Sequence, residues 1–492
     1  MIKYPAMLLC DFYKIAHRPM YPPGTEMVYS TWTPRATRCP GINSVVVAGN
    51  QAFIKEFLMD YFRENFFCRP IRGIVSEYAR VIKNTLGDPN PCTEHIEALH
   101  KLGYMPLLIK ALPEGTTVPI RTPVLTIQNT VPEFFWVTNY IESLASCELW
   151  PIYTSATIAR EYRKILDAAA MRTVGNTDFV QFQGHDFSFR GMMGLYAAAK
   201  TGLGHLMSFV GTDTIPAILA AEHYYGANIE KELVGTSIPA SEHSIQCAYG
   251  DDMKYLEQLI TRVHPSGFVS IVSDGYDFWD VIGRVLPALK DKIMSRSGGP
   301  IGDRVVIRPD SGDPVLIVCG DPAGKTEIER KGAIEALWDI FGGSITEKGF
   351  KLLDPHIGLI YGDAITLQRA SEIVKRLEDK GFASTNAVFG IGSYTYQYVT
   401  RDTFGFALKS TACVINGEEI QIYKEPKTDD GIKKSQKGAV RVWRDDSGNI
   451  QWADGFRVGL TGWDDMLQPI FKDGQLLVDE SFSSIRKRIK GV

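Results

Sequence analysis

The sequence predicts an α/β protein built on a parallel sheet, with β-rich segments on both sides of it along the chain. From about residue 178 to residue 393, short apolar runs alternate with amphipathic segments, which is typical of parallel strands covered by helices. A β/α barrel and a doubly wound sheet both fit this pattern. Residues 105–130 and the chain after about residue 405 instead show polar–apolar alternation broken by turn residues, which predicts further strands.

Six apolar runs are the predicted strands of the parallel sheet. They are residues 179–182, 206–210, 268–272, 305–307, 358–360 and 387–389. Apolar residues at helical spacing in 334–341 and 367–377 predict two of the covering helices. Another helix is expected to begin at Pro132, since proline suits the first turn. In the β-rich end, Asn416-Gly417 predicts a hairpin turn, and a Lys-rich loop occupies 424–438.

Polar and charged residues follow all six runs. The segments are GHDFSFR (184–190), GTD (211–213), SDGYD (273–277), RPDSGD (308–313), YGDA (361–364) and GIGS (390–393). One such segment alone is best interpreted as a surface turn, because Pro, Asp, Ser and Gly favour turns. The carboxyl ends of parallel strands, however, meet at one face where ligands bind. Six of them therefore predict a single site.

The residue types predict a site for a polyphosphate with Mg²⁺. Asp277, Asp310, Asp313 and Asp363 suit Mg²⁺, directly or through water, or ribose hydroxyls. Arg190, Arg308 and the lysines of 424–438 add positive charge, and this mixture fits a Mg²⁺-bound polyphosphate better than a bare anion. Glycine-rich backbone at 390–392 can hold a phosphate through its N–H groups. No Walker A loop is present, because only three residues separate Gly320 from Gly324.

Composition excludes several classes of partner. The 492 residues are 45% hydrophobic and 22% charged with a formal net charge of -4, so nothing points to nucleic acid or to an anionic membrane. The length predicts two or three domains. Eight scattered cysteines without a CxxC pair predict a reducing compartment, and the N-terminus lacks a signal peptide, so we expect a cytoplasmic protein. The basic tail at 486–488 is expected to lie in solvent.

Taken together, the motifs closely resemble the nicotinamide phosphoribosyltransferases, a type II phosphoribosyltransferase family. The resemblance runs along nearly the whole chain through DFYKIAHRPMYPPGT (11–25), PEGTTVPIRTPVLTIQNT (113–130), HDFSFRG (185–191), VGTDT (210–214), SIPASEHS (237–244), VSDGYD (272–277), IRPDSGDP (307–314), GDAIT (362–366), TRD (400–402) and KEP (424–426). It implies an irregular type II phosphoribosyltransferase β/α barrel at 151–400. A second, β-rich α+β domain would be formed by residues 1–150 and 401–492.

The resemblance also implies a reaction. Nicotinamide and phosphoribosyl pyrophosphate (PRPP) would give nicotinamide mononucleotide and pyrophosphate for NAD biosynthesis, with Mg²⁺ as cofactor. ATP would be a co-substrate whose hydrolysis is coupled through phosphorylation of His243. Two subunits would pair head to tail and share their active sites.

Residue roles follow from matched positions. Phe187 and the partner subunit's Tyr13 would sandwich the pyridine ring, and Asp213 would accept a hydrogen bond from the carboxamide. Arg308 and Asp310 would lie by the ribose, with Asp310 and Asp277 near Mg²⁺. The other implied substrate-binding residues are Arg190, Ser273, Gly362, Asp363 and Gly392, with Arg35, Arg401, Lys409 and Lys424 from the partner. The chain departs from the family pattern at Thr236, at Ala407 and in a shortened glycine run, Gly392-Ser393-Tyr394.

Three alternatives stay open. A nicotinate phosphoribosyltransferase would share the fold and chemistry, but the Asp213 carboxylate would repel nicotinate. A catalytically silent binding or signalling protein has no physical need for His243, Asp213, Phe187, Arg308 and Asp310 together. A phosphate-binding aldolase or isomerase would need a Schiff-base lysine at a strand end, and none is identifiable.

Overall fold

The computed structural model describes residues 4–424, 436–459, 462 and 464–491. These fall into two compact units. The first takes the described residues of Met1–Thr157, Ala221–Ala227 and Val399–Val492, and the second takes Ile158–Ala220 and Asn228–Tyr398. The short segment Ala221–Ala227 had no counterpart in the sequence-based division. It is tied to the first unit by hydrogen bonds from Gln51 Nε2 to Tyr224 O (2.7 Å) and from Tyr225 Oη to Glu114 (2.9 Å).

The strands of the described ranges, in chain order, are as follows. They are β1 (Thr25–Pro34), β2 (Ser44–Val46), β3 (Leu107–Ala111), β4 (Thr117–Pro119), β5 (Leu125–Asn129), β6 (Gly184–Asp186), β7 (Gly211–Thr212), β8 (Phe268–Val272), β9 (Arg304–Arg308), β10 (Gly343–Ile345), β11 (Lys351–Leu353), β12 (Ile357–Tyr361), β13 (Ala387–Ile391), β14 (Phe406–Ile415), β15 (Glu418–Gln421), β16 (Ala439–Arg444), β17 (Ile450–Phe456), β18 (Gln468–Lys472) and β19 (Gln475–Leu476).

The α-helices of the same ranges are α1 (Phe12–Ile15), α2 (His17–Met20), α3 (Asn50–Phe53), α4 (Ile71–Leu86), α5 (Glu94–Leu102), α6 (Val137–Tyr140), α7 (Glu142–Thr173), α8 (Val180–Gln183), α9 (Leu195–Leu206), α10 (Ile215–Tyr225), α11 (His243–Tyr249), α12 (Asp252–Gln258), α13 (Phe278–Asp280), α14 (Leu286–Met294), α15 (Pro314–Cys319), α16 (Glu327–Lys331), α17 (Ala333–Phe341), α18 (Leu367–Asp379), α19 (Ser393–Tyr396) and α20 (Phe482–Lys490). The turn at Pro132 is a short 3₁₀ helix, Pro132–Phe134, followed by α6 and α7. No helix in the described ranges combines the length and hydrophobicity needed to cross a membrane.

The first unit is built on an antiparallel sheet that joins the two ends of the chain. Its strand order is β15-β14-β1-β5-β3-β18-β19. β1 pairs along most of its length with β14, nearly 400 residues later, and on its other side with β5. Trp32 of β1 is fully buried and stacks on Phe406 of β14 (5.2 Å between ring centroids). The core of this unit therefore contains side chains from both of these paired strands. The predicted β-rich domain formed by both ends of the chain is confirmed.

The second unit carries a six-stranded, wholly parallel sheet in the order β7-β6-β13-β12-β9-β8. Its central strands are nearly continuous runs of buried apolar residues, as expected for a sheet covered on both faces. On its outside, α15 packs against α17 and α18. The predicted parallel sheet with covering helices is confirmed, in addition to the β-rich sheet of the first unit.

Two predicted strands are wrong. Residues 179–182 mostly form α8, with the strand β6 beginning two residues later, at Gly184. Residues 206–210 contain the end of α9, and the strand that follows is only Gly211–Thr212. A short buried apolar run has no periodicity that separates helix from strand, so the apolar residues before each strand were mistaken for the strand itself.

Two features of the chain end also bear on the predictions. Asn416 and Gly417 both have positive φ (50° and 78°), which matches the predicted tight hairpin between β14 and β15. The basic tail is not free in solvent, because Arg488 in α20 is ion-paired with Glu480 (2.6 Å). Residues 425–435 of the predicted Lys-rich loop lie outside the described residues.

Candidate active site

Each of the six parallel strands is followed, within two residues, by a residue predicted for the site. The pairs are β6 and Phe187, β7 and Asp213, β8 and Ser273, β9 and Asp310, β12 and Gly362 with Asp363, and β13 and Gly392. Because the strands are parallel neighbours in one sheet, these residues lie along one edge of it. The second unit therefore brings together the residues that the strand ends predicted.

Asp213 is an ionised carboxylate with one oxygen already engaged. His185 Nε2 (2.9 Å) and Ser237 Oγ (2.6 Å) both donate to its Oδ1. Partial burial favours the neutral acid, but these hydrogen bonds and the nearby Arg308 outweigh it and lower the pKa of Asp213. The side chain is 44% exposed, so Oδ2 remains available to a ligand.

Asp274 connects His243 to the segment that carries Asp310. Its Oδ1 accepts a hydrogen bond from His243 Nε2 (2.9 Å), and its Oδ2 accepts from the backbone N–H groups of Asp310 and Ser311 (both 2.7 Å). Although burial opposes ionisation, these bonds lower the pKa of Asp274. A carboxylate can only accept, so Nε2 is the nitrogen of His243 that donates, and in the neutral tautomer Nδ1 carries the lone pair.

Arg308 is the last residue of β9, and the side chain of Asp310, two residues later, lies next to it. Arg308 Nη2 donates to Ser241 O (2.7 Å), and its Nε lies 3.8 Å from Asp310 Oδ1. Burial raises the pKa of Asp310; Arg308 counteracts this, while the carboxylates of Asp274 and Asp363 add to it. Asp310 Oδ1 is buried and has no hydrogen-bond donor among the described residues. Negative charge thus accumulates at this point of the site.

Two glycines are required by the side chains that they face. A Cβ at Gly362 would lie 1.9 Å from Asp310 Oδ1, and one at Gly390 would lie 2.4 Å from the Phe187 ring. Gly392 has open space around it, which leaves its backbone accessible. Close approach by side chains therefore explains the first two glycines, and access to a ligand fits the third.

Other predicted residues have structural partners of their own. Asp277 is exposed and caps α13 by accepting from the N–H groups of Trp279 and Asp280. Asp313 caps α15 in the same way. Ser273 is fully buried and its hydroxyl donates to Ile271 O (2.8 Å). Arg190 and Asp363 are exposed at the same edge of the sheet. In Asp277 and in Asp313, at least one carboxylate oxygen is therefore already used to cap the helix that follows.

The residues expected from a partner subunit all lie in the first unit. Lys409 on β14 has its pKa lowered by partial burial and by the positive charges of Arg35, Lys424 and Arg401, although Glu142 opposes this. Burial and Arg401 also lower the pKa of Arg35. Four cations close enough to perturb one another form a positively charged surface. Tyr13 in α1 has 57% of its surface exposed.

The residues present fit Mg²⁺ bound together with a phosphorylated ligand. Among the described residues, no three His, Cys, Asp or Glu side chains are grouped as a complete metal site. Mg²⁺ usually takes one or two carboxylates and completes its shell with substrate phosphates and water. Asp310, with its unpartnered buried oxygen among other carboxylates, has this character.

Sequence reasoning passed over His185, Ser237 and Asp274. All three lie inside motifs that were singled out, GHDFSFR, SIPASEHS and VSDGYD, but other residues of those motifs were chosen. The available signal was the position of His185 and Asp274 at the ends of β6 and β8, where a polar side chain faces its neighbours across the sheet edge.

Comparison with known proteins agrees with this geometry. The model of the nicotinate phosphoribosyltransferase (NAPRTase) family matches residues 182–460, more than half of the chain. A protein of Acinetobacter baylyi named nicotinamide phosphoribosyltransferase is 48% identical over 97% of this chain and 96% of its own length. A protein of Mycoplasma pneumoniae with the same name is 34% identical over 86% and 92%.

Among solved structures, a nicotinate-nucleotide pyrophosphorylase from Pyrococcus furiosus covers 99% of this chain and 95% of its own, with a TM-score of 0.59 and 16% identity. At this identity the likeness shows the fold alone. The family match and the near-full-length relatives go further. The chain belongs to the nicotinate phosphoribosyltransferase (NAPRTase) family and, within it, to the nicotinamide phosphoribosyltransferases that its motifs resemble.

Proposed function

We propose that this chain transfers the phosphoribosyl group of PRPP to nicotinamide, giving nicotinamide mononucleotide and pyrophosphate for NAD biosynthesis. The observation that carries the choice of base is Asp213, an ionised carboxylate at the end of β7 with Oδ2 available to a carboxamide N–H. A charge-assisted hydrogen bond of this kind contributes about 1.5–3 kcal/mol.

The residue types suit cleavage of the bond between ribose C1 and the pyrophosphate oxygen. This bond breaks as the bond from C1 to the pyridine nitrogen forms, through a state in which C1 carries positive charge. Asp310 and its neighbouring carboxylates favour that charge, and Arg308 lies beside them. The pyridine nitrogen of nicotinamide carries no proton, so no general base is needed and positioning supplies much of the rate.

Mg²⁺ held by PRPP oxygens with Asp310, and with Asp277 directly or through water, would stabilise the charge of the departing pyrophosphate. The cationic surface of Arg35, Arg401, Lys409 and Lys424 suits the same phosphates. These cations and Tyr13 belong to the first unit, while the carboxylates and Phe187 belong to the second. From the matched positions of these residues in the family, we propose a homodimer in which each subunit supplies one set to a shared site.

ATP coupling through His243 is a further part of the proposal. Asp274 holds the Nε2 proton, so His243 Nδ1 is the nucleophile that would take the terminal phosphoryl group of ATP, breaking the bond to ADP. His243 is half exposed, as a phosphoryl acceptor must be. A cytoplasmic location is proposed from the eight cysteines, all free thiols, which suit a reducing compartment.

Nicotinate is the competing base, and the family name makes it the second candidate. Its carboxylate would lie against Asp213. Two unit charges ~4 Å apart repel by about 1 kcal/mol in water and about 4 kcal/mol at an effective dielectric of ~20. Since Asp213 is 44% exposed, we expect a preference for nicotinamide between these limits, roughly five- to several-hundred-fold.

The test compares kcat/KM for nicotinamide and nicotinate in the wild type, Asp213→Asn and Ser237→Ala. Asp213→Asn removes the charge and leaves an amide that can face either base, so nicotinamide use should fall, nicotinate use should rise and the preference should collapse. Ser237→Ala keeps the charge and removes one of its hydrogen-bond donors, so it should keep the preference. A wild type that uses both bases equally, or an Asp213→Asn preference equal to that of the wild type, would favour the nicotinate enzyme.

A further inference from the structure

His205 is a buried histidine that joins two elements of the second unit. It lies in the last turn of α9 and is fully buried. Its Nε2 lies 2.9 Å from Gly211 O, and its Nδ1 lies 2.7 Å from the hydroxyl of Tyr396. Gly211 is the first residue of β7, and Tyr396 is the last residue of α19. One side chain therefore contacts both β7 and α19.

Both hydrogen bonds of His205 have a defined direction. A carbonyl oxygen can only accept, so Nε2 carries the proton and donates it to Gly211 O. Burial lowers the pKa of the imidazole to about 4, although the nearby Asp186 opposes this, so the ring is neutral at neutral pH. In the neutral ring Nδ1 is the acceptor, and the Tyr396 hydroxyl is its donor. The two hydrogen bonds thus form one continuous path from α19 to β7.

The two elements that this path joins carry different parts of the proposed site. Asp213, proposed for the carboxamide, directly follows β7, and Gly392, in the backbone predicted to hold a phosphate, directly precedes α19. In the sheet, β6 lies between β7 and β13 and is followed by Phe187, proposed for the pyridine ring. Neighbouring strands are ~4.8 Å apart, so β7 and β13 are separated by about 10 Å. The three strand ends therefore follow the order of carboxamide, ring and phosphate in nicotinamide mononucleotide.

The other connections between these elements are short. β7 pairs with β6 at two positions, and β6 pairs with β13 at three. α19 is a single turn of four residues. The hydroxyl of Thr395 ties this turn to Ile365 O (2.8 Å), in the loop after β12. The path through His205 adds a direct connection from α19 to β7.

We propose that His205 is a positioning residue that fixes the spacing between the carboxamide-binding and phosphate-binding parts of the site. This inference rests on the proposed function. A ligand that carries both groups depends on the spacing, because binding at one end places the other end correctly only when the two subsites are the right distance apart. Nicotinamide mononucleotide is such a ligand. Nicotinamide and ribose 5-phosphate each occupy one part and do not depend on the spacing.

Tyr396→Phe tests the inference, because it removes one hydroxyl and keeps the aromatic ring. Binding of the three ligands to the full-length protein is measured by calorimetry without pyrophosphate, so that no reaction takes place. Nicotinamide mononucleotide should bind at least about fivefold more weakly, while the affinities for nicotinamide and ribose 5-phosphate each change less than about twofold.

Tyr153→Phe is the matched control. Tyr153 is also fully buried, and its hydroxyl donates to a side-chain acceptor of the first unit, Asn50 Oδ1 (2.9 Å). All three affinities should stay within about twofold of the wild type. A loss of mononucleotide binding as large as that in Tyr396→Phe would show a general effect of removing a buried hydroxyl and would overturn the inference.

A double variant separates positioning from stability. Tyr396→Phe leaves His205 Nδ1 buried without a donor, which is destabilising, and His205→Phe/Tyr396→Phe removes that buried acceptor. Because both variants lack the path, both should lose affinity selectively for the mononucleotide. Unchanged mononucleotide binding, or a similar loss for all three ligands, would overturn the inference while leaving the proposed function intact. If the wild type does not bind the mononucleotide, the proposed function is wrong and this inference falls with it.

Discussion

Asp274 shows how much of the site depends on single residues. One carboxylate orders the His243 imidazole through Oδ1 and two successive backbone N–H groups through Oδ2. Its lowered pKa keeps it ionised at neutral pH, so both functions persist there. Orientation of a histidine by a carboxylate fixes its tautomer, as in other sites that use imidazole chemistry. In this site, the chemistry proposed for His243 and the position of Asp310 depend on the same side chain.

His243→Ala is the residue-scale test of ATP coupling. Without the Nδ1 nucleophile, ATP hydrolysis and the gain in product formation on adding ATP should both be lost, while slower synthesis from PRPP alone remains. ATP hydrolysis and mononucleotide formation are measured with and without ATP. Ser244→Ala is the control, since Ser244 lies on the same helix and its hydroxyl donates to Glu242. Full ATP stimulation in His243→Ala would refute the assignment.

The sequence predicts those residues of the proposed site that directly follow a strand. Phe187, Asp213 and Asp310 follow apolar runs that are visible in the sequence. The contacts that determine their chemistry were not predictable, because they join distant parts of the chain. Asp274 meets a histidine 31 residues away and a backbone N–H 36 residues away. No local pattern encodes which of several carboxylates will lie opposite a given donor.

The RPDSGD loop after β9 is the element whose position matters most to the proposed chemistry. Tyr361 at the end of β12 donates its hydroxyl to Ser311 O (3.0 Å) and Gly312 O (2.9 Å). Asp274 holds the N–H groups of the same loop, and Asp313 caps the helix that follows. The turn predicted from Pro, Asp, Ser and Gly is therefore held by three side chains, those of Tyr361, Asp274 and Asp313.

Tyr361→Phe tests this anchoring. The substitution removes the hydroxyl proton that the Ser311 and Gly312 carbonyls share, a contact worth about 1 kcal/mol in total, and gives the Asp310 segment more freedom. We expect kcat/KM for PRPP to fall roughly five- to fiftyfold. Tyr29→Phe, which alters a buried tyrosine of the first unit, should cost stability without changing kcat/KM for PRPP. The idea fails if both variants have wild-type kinetics at matched stability.

At the level of elements, the sequence predicts a strand well where the strand is long and apolar throughout. Residues 268–272 match β8, and 305–307 and 387–389 lie inside β9 and β13. The two errors fall where the strand is very short. β6 has three residues and β7 has two, and each follows an apolar helical segment. Packing then decides the structure: a Cβ at Gly184 would lie 2.8 Å from the Phe209 ring, so the strand can pass only at a glycine.

On the scale of the whole molecule, the proposed site residues divide along the boundary between the two units. Phe187, Asp213 and Asp310 belong to the second unit, while Tyr13 and Lys409 belong to the first. The second unit has the clustered carboxylates with Arg308 among them, and the first unit has the mutually repelling cations. A polyphosphate between such sets would offset both excesses of charge. The proposal that two subunits share each site rests on the matched family positions of these residues, and complementary charge on the two sets is compatible with it.

Reassorted dimers test that proposal. Phe187→Ala and Tyr13→Ala homodimers should each be weak, because each lacks one face of the aromatic sandwich at both sites. In a heterodimer, one site loses both aromatic residues and the other has both intact. Random reassortment makes about half of the dimers mixed, so activity should return to about a quarter of the wild-type level. Subunit exchange is verified with differently tagged chains, and each variant incubated alone is the control. If exchange is complete and no activity returns, Tyr13 and Phe187 do not meet across a subunit interface.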